Sequence, residues 1–237
     1  MRVLHPLPLL AFLLLPFSGP QLFAQADTAI EPPGSSAPAP PTVQDIRRVF
    51  ENLIAASDDG DRRAYAQFSH LYTLLYEQAF IEAGTPQPKV ATAMIPELDR
   101  WIAEKAQNGS ATAQHWMGAR TKVLQNYGGE VPELAEVEKW YRLSAEQGFA
   151  PAQDALGQIL GFFPEFAREP FEAQKWLFRA ARQGEPAADQ RLLLAIRMDN
   201  ERTNYRPDAD ILAWLQQRAA DGDAEARSLI DLLAAQD

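Results

Sequence analysis

Four segments of the chain share the pattern W-x4-A-x2-G, and they decide the fold. They read WIAEKAQNG at residues 101–109, WYRLSAEQG at 140–148, WLFRAARQG at 176–184 and WLQQRAADG at 214–222. Their tryptophans follow one another at intervals of 39, 36 and 38 residues. A period of this length is typical of arrays of helical hairpins, so the pattern predicts a repeat protein rather than one globular core.

A second pattern follows each glycine. Alanine stands four residues beyond it and a larger apolar residue eight beyond it, which places both on one face of a helix. The members are Ala113, Ala152, Ala188 and Ala226, with Met117, Leu156, Leu192 and Ile230. Gly60 is followed by Ala64 and Phe68 at the same offsets, so a divergent copy precedes the four clear ones.

The glycine is expected to end one helix in the left-handed conformation, which it adopts without steric cost. A new helix then begins, and Asp61, Ser110 and Asp223 suit its N-cap. The tryptophans, Trp140 among them, are expected to be buried wedges between helices. Each period is therefore predicted to be helix, tight turn, helix and longer loop.

These patterns predict an all-α fold, a right-handed α/α superhelix of stacked helical hairpins with about ten helices. The repeat domain is expected over residues 43–237. Its parts are a divergent copy at about 43–100, with a leading helix at 46–59, clear copies at about 101–222, and a closing helix at 223–237.

The run VPELAEVEKWYRLSAEQGFAPAQDALG at residues 131–157 resembles the Sel-one-like repeat, a relative of the tetratricopeptide repeat. The A-Q-x2-L-G half of that repeat is matched at residues 113–118 and 152–157. Leu193 and Asp231 replace its final glycine in later copies, where looser helix packing is expected. The resemblance implies a scaffold that binds other proteins, often in the bacterial envelope.

The N-terminal residues have the layout of an export signal. Residues 1–26 carry one cation, Arg2, an apolar stretch at 7–17, and Ala24 and Ala26 on either side of Gln25, with cleavage expected after Ala26. An uncleaved anchor is the alternative, but the stretch is shorter than the ~20 residues needed to span a membrane. Residues 27–42 are predicted to be a flexible linker rich in Pro, Ala and Ser. We therefore expect an exported protein, periplasmic or secreted, without a membrane span in the mature chain.

Composition excludes several classes of function. The chain has 237 residues, no cysteine and a formal net charge of −10. Without cysteine it can form neither a lipid anchor, nor a disulfide, nor a thiolate metal site. The acidic balance disfavours nucleic acid as a partner.

Motifs for catalysis or metal binding are lacking in the sequence. The three histidines, His5, His70 and His115, do not form a zinc-binding motif. The acidic run at residues 58–61 lacks the spacing of a calcium loop and is interpreted as an inter-helix turn with caps. We predict no catalytic residue, no metal and no cofactor.

Binding residues are predicted from the helical register. In stacked hairpins, positions six, ten and thirteen past the glycine point away from the packed face and toward the concave surface. The candidates for a partner-binding groove are His115, Lys122, Asp154, Gln158, Gln190 and Arg197. His115 is expected to be solvated or to line the groove, and the mixed polar character favours a peptide or protein segment as the partner.

The sequence favours a non-catalytic scaffold in the periplasm or cell envelope that binds a partner protein. One alternative is a hydrolase of cell-wall or β-lactam-like substrates, because some cysteine-rich members of the Sel-one-like repeat family, which this sequence resembles, are described as β-lactamases. Another is a scaffold for polysaccharide export.

Overall fold

The computed structural model describes residues 42–84, 90–127 and 130–235, which form an all-α fold. The described ranges contain eleven α-helices and no strand, in agreement with the expected ten or so helices. The helices are α1 (Val43–Asp58), α2 (Arg62–Ala83), α3 (Val90–Gln107), α4 (Ala111–Ala119), α5 (Thr121–Tyr127), α6 (Leu134–Glu146), α7 (Ala150–Phe162), α8 (Glu172–Arg182), α9 (Ala188–Thr203), α10 (Ala209–Ala220) and α11 (Ala224–Ala234).

The predicted signal peptide at residues 1–26 lies outside the described residues, as does all of the predicted linker at 27–42 except Thr42. These two boundaries stay predictions. The handedness of the superhelix likewise stays a prediction.

The helices pair into hairpins across the predicted glycine turns. The pairs are α1–α2, α3–α4, α6–α7, α8–α9 and α10–α11. The turn glycines all have positive φ, between 71° and 100°; they are Gly60, Gly109, Gly148, Gly184 and Gly222. This conformation favours glycine, so the repeating helical hairpin predicted from the sequence is confirmed.

The predicted caps are confirmed as well. The Asp61 carboxylate accepts hydrogen bonds from the backbone amides of Arg63 and Ala64, and Ser110 and Asp223 cap α4 and α11 in the same way. Asp58, next to this turn, accepts hydrogen bonds from Ser110 Oγ at 2.7 Å and from the backbone amide of Thr112 at 2.8 Å. The acidic run therefore caps one helix and ties the first hairpin to the second.

Small residues let consecutive hairpins approach closely. The alanine four residues past each glycine is buried in every copy. A Cβ added at Gly118 of α4 would lie 2.7 Å from the ring of Tyr141 on α6. A Cβ at Gly157 of α7 would lie 2.7 Å from Cγ of Leu177 on α8. The glycine that ends the A-Q-x2-L-G pattern is thus required at the contact between hairpins.

Leu193 occupies the equivalent position of α9 and is buried there. α9 does not approach α10 as closely as α7 approaches α8, and it contacts α11 as well. The leucine side chain is buried in the apolar cluster of the last hairpins. The looser helix packing expected in the last repeats stays a prediction.

A ladder of glutamine side chains joins the hairpins. Gln153 Nε2 donates to the carbonyl of Ala145 at 3.3 Å, and its Oε1 accepts from Gln183 Nε2 at 2.8 Å. Gln114 and Gln147 repeat this arrangement one hairpin earlier, at 2.7 Å. The glutamine of the A-Q pattern therefore closes its own hairpin turn and binds the turn of the next hairpin.

The last hairpin keeps this arrangement with charged residues. Arg227 donates to the carbonyl of Ala219 at 2.9 Å, as the glutamines do, and Asp189 forms an ion pair with Arg218 at 2.8 Å. Both groups of the ion pair are about one-third exposed, so this link is expected to be weaker in salt than the amide links.

The four period-marking tryptophans are not equally buried. Trp101 and Trp176 are buried, whereas Trp140 and Trp214 are only partly buried. The expectation that Trp140 is a buried wedge is therefore wrong: its ring lies at the edge of the core, with its Nε1 donating to Glu136. The most buried tryptophan is Trp116, outside the period, which is 2% exposed.

Candidate binding groove on the inner surface

The helices that follow the first four turn glycines are α2, α4, α7 and α9. Their N-terminal ends converge, and Arg62 at the start of α2 donates to the carbonyls of Gln183 and Gly184, the latter at 2.6 Å. Those carbonyls belong to the turn between α8 and α9. One side chain therefore links the first hairpin to the fourth, which defines the concave side, called the inner surface below.

A groove of 570 Å³ runs along this inner surface beside Arg62. Hairpins one, three and four all contribute to its walls, so its shape depends on how the hairpins stack. Its lining combines polar and apolar side chains, and consists of Arg62, Tyr65, Ala66, Ser69, His70, Thr73, Pro151, Glu185 and Pro186.

An aromatic cluster fills the space between the hairpins and forms the floor of the inner surface. The His115 ring lies 4.9 Å from that of Tyr65, 5.2 Å from that of Tyr141 and 5.5 Å from that of Phe149, centre to centre. These rings come from α2, α6 and the start of α7. The cluster therefore packs the first three hairpins against one another.

His115 is part of this floor and not of the open groove. It is 6% exposed, and burial lowers its pKa to about 3, so it is neutral. Its Nδ1 has no hydrogen-bond partner among the described residues. The expectation of a solvated or groove-lining histidine is wrong, because the curvature of the array brings Tyr65 and Phe149 over its ring.

Two of the predicted groove residues are held by side-chain hydrogen bonds. Asp154 on α7 forms an ion pair with Arg191 on α9 at 2.8 Å and accepts from Gln158 at 2.9 Å. Burial raises the pKa of Asp154 against the opposing effect of Arg191. Burial also raises the pKa of Glu185, which lies near both groups. Asp154 thus joins neighbouring hairpins at the inner surface, and Gln158 bonds to Asp154 within α7.

The other three predicted groove residues are more accessible. Lys122 on α5 and Gln190 on α9 are exposed, and Arg197 on α9 is half-buried. Contact of any of the six candidates with a partner stays a prediction.

Several inner-surface residues were missed, although the register rule contains them. Counting six, ten and thirteen residues past Gly60 gives Ala66, His70 and Thr73, which all line the groove. The same count past Gly184 gives Leu194, an exposed leucine. By contrast, the sequence carries no local signal for the link from Arg62 to a turn more than 120 residues away.

Two further properties concern the described part of the chain. Residues 42–84, 90–127 and 130–235 hold no cluster of three or more His, Asp or Glu side chains arranged to bind a metal ion. Among the helices in these ranges, none combines the length and apolar character needed to cross a membrane.

Comparison of the sequence with protein-family models and with curated proteins gives no match. Among solved structures, the chain is similar to a protective antigen present in uropathogenic Escherichia coli strains, which displays an SLR fold. The identity is 19% and the TM-score 0.41, over 78% of this chain and 39% of the antigen chain. The chain thus spans about two fifths of the length of that structure.

Proposed function

We propose that this protein is a non-catalytic scaffold of the cell envelope, most simply periplasmic, that binds a segment of a partner protein along its inner surface. The observation that carries this proposal is the groove of 570 Å³ built from three separate hairpins. Such a surface is preformed by the stacking of hairpins rather than by a mobile loop.

The chemistry of the groove supports a peptide as its ligand. Hydroxyl groups of Ser69 and Thr73 lie one turn apart on α2, with the exposed imidazole of His70 beside them. Arg62 and Glu185 supply one charge of each sign at the groove's end. Donors and acceptors spaced along a helix suit the amide groups of an extended segment.

Photo-cross-linking tests the binding surface. A photoactivatable residue replaces Ala66 or His70 in the groove, and Lys139, exposed on α6, serves as the control position. In an envelope extract, we expect both groove positions to cross-link one and the same protein and Lys139 to give no such product. Absence of a product from both groove positions would contradict the proposal.

The predicted export to the periplasm is tested by a separate experiment. A C-terminally tagged chain is expected in the periplasmic fraction, shortened by about the length of residues 1–26. Full-length protein retained in the cytoplasm would contradict the envelope assignment.

A further inference from the structure

Arg62 joins two walls of the groove that have little other contact. One wall is α2 of hairpin one, and the other consists of Glu185 and Pro186, next to the turn of hairpin four. In the described ranges, neither α1 nor α2 packs extensively against α8 or α9. The guanidinium of Arg62 connects the walls through its hydrogen bonds to the carbonyls of Gln183 and Gly184. These two hydrogen bonds are called the latch below.

The latch binds carbonyl groups that the backbone leaves free. Gln183 is the C-cap of α8, and neither its carbonyl nor that of Gly184 accepts a backbone hydrogen bond in the part of the chain that the structure describes. Carbonyls at a helix C-terminus carry partial negative charge and attract a cation. Arg62 forms no ion pair with a carboxylate in that part of the chain, so its charge is directed at this turn.

The turn that receives the latch is strained. Of the five hairpin turns in the described ranges, it alone has a second left-handed residue, Ala187 at φ 60°, three residues after Gly184. The left-handed region costs alanine free energy because its Cβ approaches the following carbonyl oxygen. Such a conformation persists only where surrounding contacts hold it. Glu185 and Pro186 lie between the two left-handed residues, so the wall that they form belongs to the strained segment.

Hairpins one and three are joined in a different way. Tyr65 of α2 lies 5.4 Å from Phe149 and 4.9 Å from His115, centre to centre, within the aromatic cluster. Packed rings exclude water, so this junction is expected to stay closed. The latch is made by an exposed arginine, whose hydrogen bonds compete with bonds to water. Any opening therefore moves hairpin four and leaves hairpins one and three together.

We propose that the latch is a conformational switch of the groove. While it is made, the two walls stand at the separation seen in the structure. When it breaks, hairpin four moves away from α2 and the groove widens, because small rotations between successive hairpins add up along the array. Arg62 is then a positioning residue that sets how wide a segment the groove admits. This inference rests on the proposed function only in treating the groove as the binding surface, since the opening itself needs no partner.

Double electron–electron resonance measures the separation of the walls in the mature chain expected from residue 27 onward. The chain has no cysteine, so two introduced cysteines carry the spin labels without background labelling. Gln67 on α2 and Arg182 on α8 are exposed and report on hairpins one and four. Gln67 and Lys139, which is exposed on α6, form the control pair, because they report on hairpins one and three.

Three variants separate the latch from a general effect of charge. Arg62→Met keeps an aliphatic side chain but removes the hydrogen bonds, and we expect the distances between positions 67 and 182 to become longer and more broadly distributed. Arg62→Lys keeps a cation without the guanidinium fork and should shift them less. Arg63→Met is the matched control, because the Arg63 side chain is exposed and makes no hydrogen bond in the described ranges. It should give the wild-type distribution, and the control pair should not change in any variant.

Equal distributions in wild type and Arg62→Met, whether both short or both long, would overturn the inference. Lengthening of the control pair in Arg62→Met would overturn it as well, because the latch would then hold the whole array rather than the groove. Circular dichroism verifies that each variant keeps its helix content. These measurements use no partner, whereas the cross-linking experiment uses one and keeps Arg62, so the two proposals fail or survive separately.

Discussion

Two glycines on the same helix are expected to respond to alanine in opposite directions. Gly157 and Gly161 both lie in α7, four residues apart. A Cβ at position 157 would lie 2.7 Å from Cγ and 2.9 Å from Cδ2 of Leu177, and 3.1 Å from the backbone carbonyl of Ala173. A Cβ at position 161 would meet nothing within 4 Å.

The magnitudes follow from two opposing effects. Alanine improves the helix propensity over glycine by about 1 kcal/mol at either position. Overpacking costs typically about 1–3 kcal/mol, and position 157 belongs in the upper part of that range because a backbone atom as well as a side chain must move. Gly157→Ala is therefore expected to lower the free energy of unfolding by roughly 1–2 kcal/mol, and Gly161→Ala to raise it by up to about 1 kcal/mol.

Urea unfolding followed by circular dichroism at 222 nm measures both changes. Because repeat arrays can unfold in parts, the thermal midpoint serves as a second readout that does not depend on a two-state fit. If Gly157→Ala is as stable as wild type, or shifts in the same direction as Gly161→Ala, the close contact between α7 and α8 is refuted.

Three further predictions concern the core and the inner surface. Trp116→Ala should cost about 3–5 kcal/mol of stability and Trp140→Ala clearly less, since only the first ring is fully buried; equal losses in urea unfolding would contradict this. Burial lowers the pKa of His115 to about 3 from its ordinary value of 6.5. The unfolded chain therefore binds a proton between pH 6.5 and 3 that the folded chain does not, and stability falls as the pH is lowered through this window. His115→Phe should show a flatter decline of stability there, and an unchanged slope would argue against a buried neutral imidazole. Gln153→Ala leaves the Ala145 carbonyl and the Gln183 amide without this partner and should cost about 1–3 kcal/mol, which thermal unfolding would detect; no loss would mean the ladder is not stabilising.

The repeat was predictable because its determinants are local. A left-handed glycine follows the first helix of each hairpin in the described ranges, and a polar side chain caps the second helix in three of these five hairpins. Gly148 and Asp223 show these requirements directly, each within a few residues of the element it controls. Such constraints leave a readable pattern in a single sequence.

The candidate site was less predictable because it is built across hairpins. The register rule places residues on the inner face of a helix, but it cannot distinguish a residue that stays open from one that a neighbouring hairpin covers. Gln190 stays exposed, whereas Asp154, at the same offset, is buried against Arg191. His115, again at that offset, lies beneath Tyr65 and Phe149.

By itself, the sequence determined the period, the helix class, the turns and the caps, since each depends on interactions within one hairpin. Tertiary structure decided which tryptophan is most deeply buried, which distant turn Arg62 bonds to, and which polar residues remain accessible. The physical reason is curvature. How far one hairpin rotates against the next depends on contacts such as Leu177 on Gly157, and small rotations summed over four hairpins bring residues more than 120 positions apart into hydrogen-bond distance.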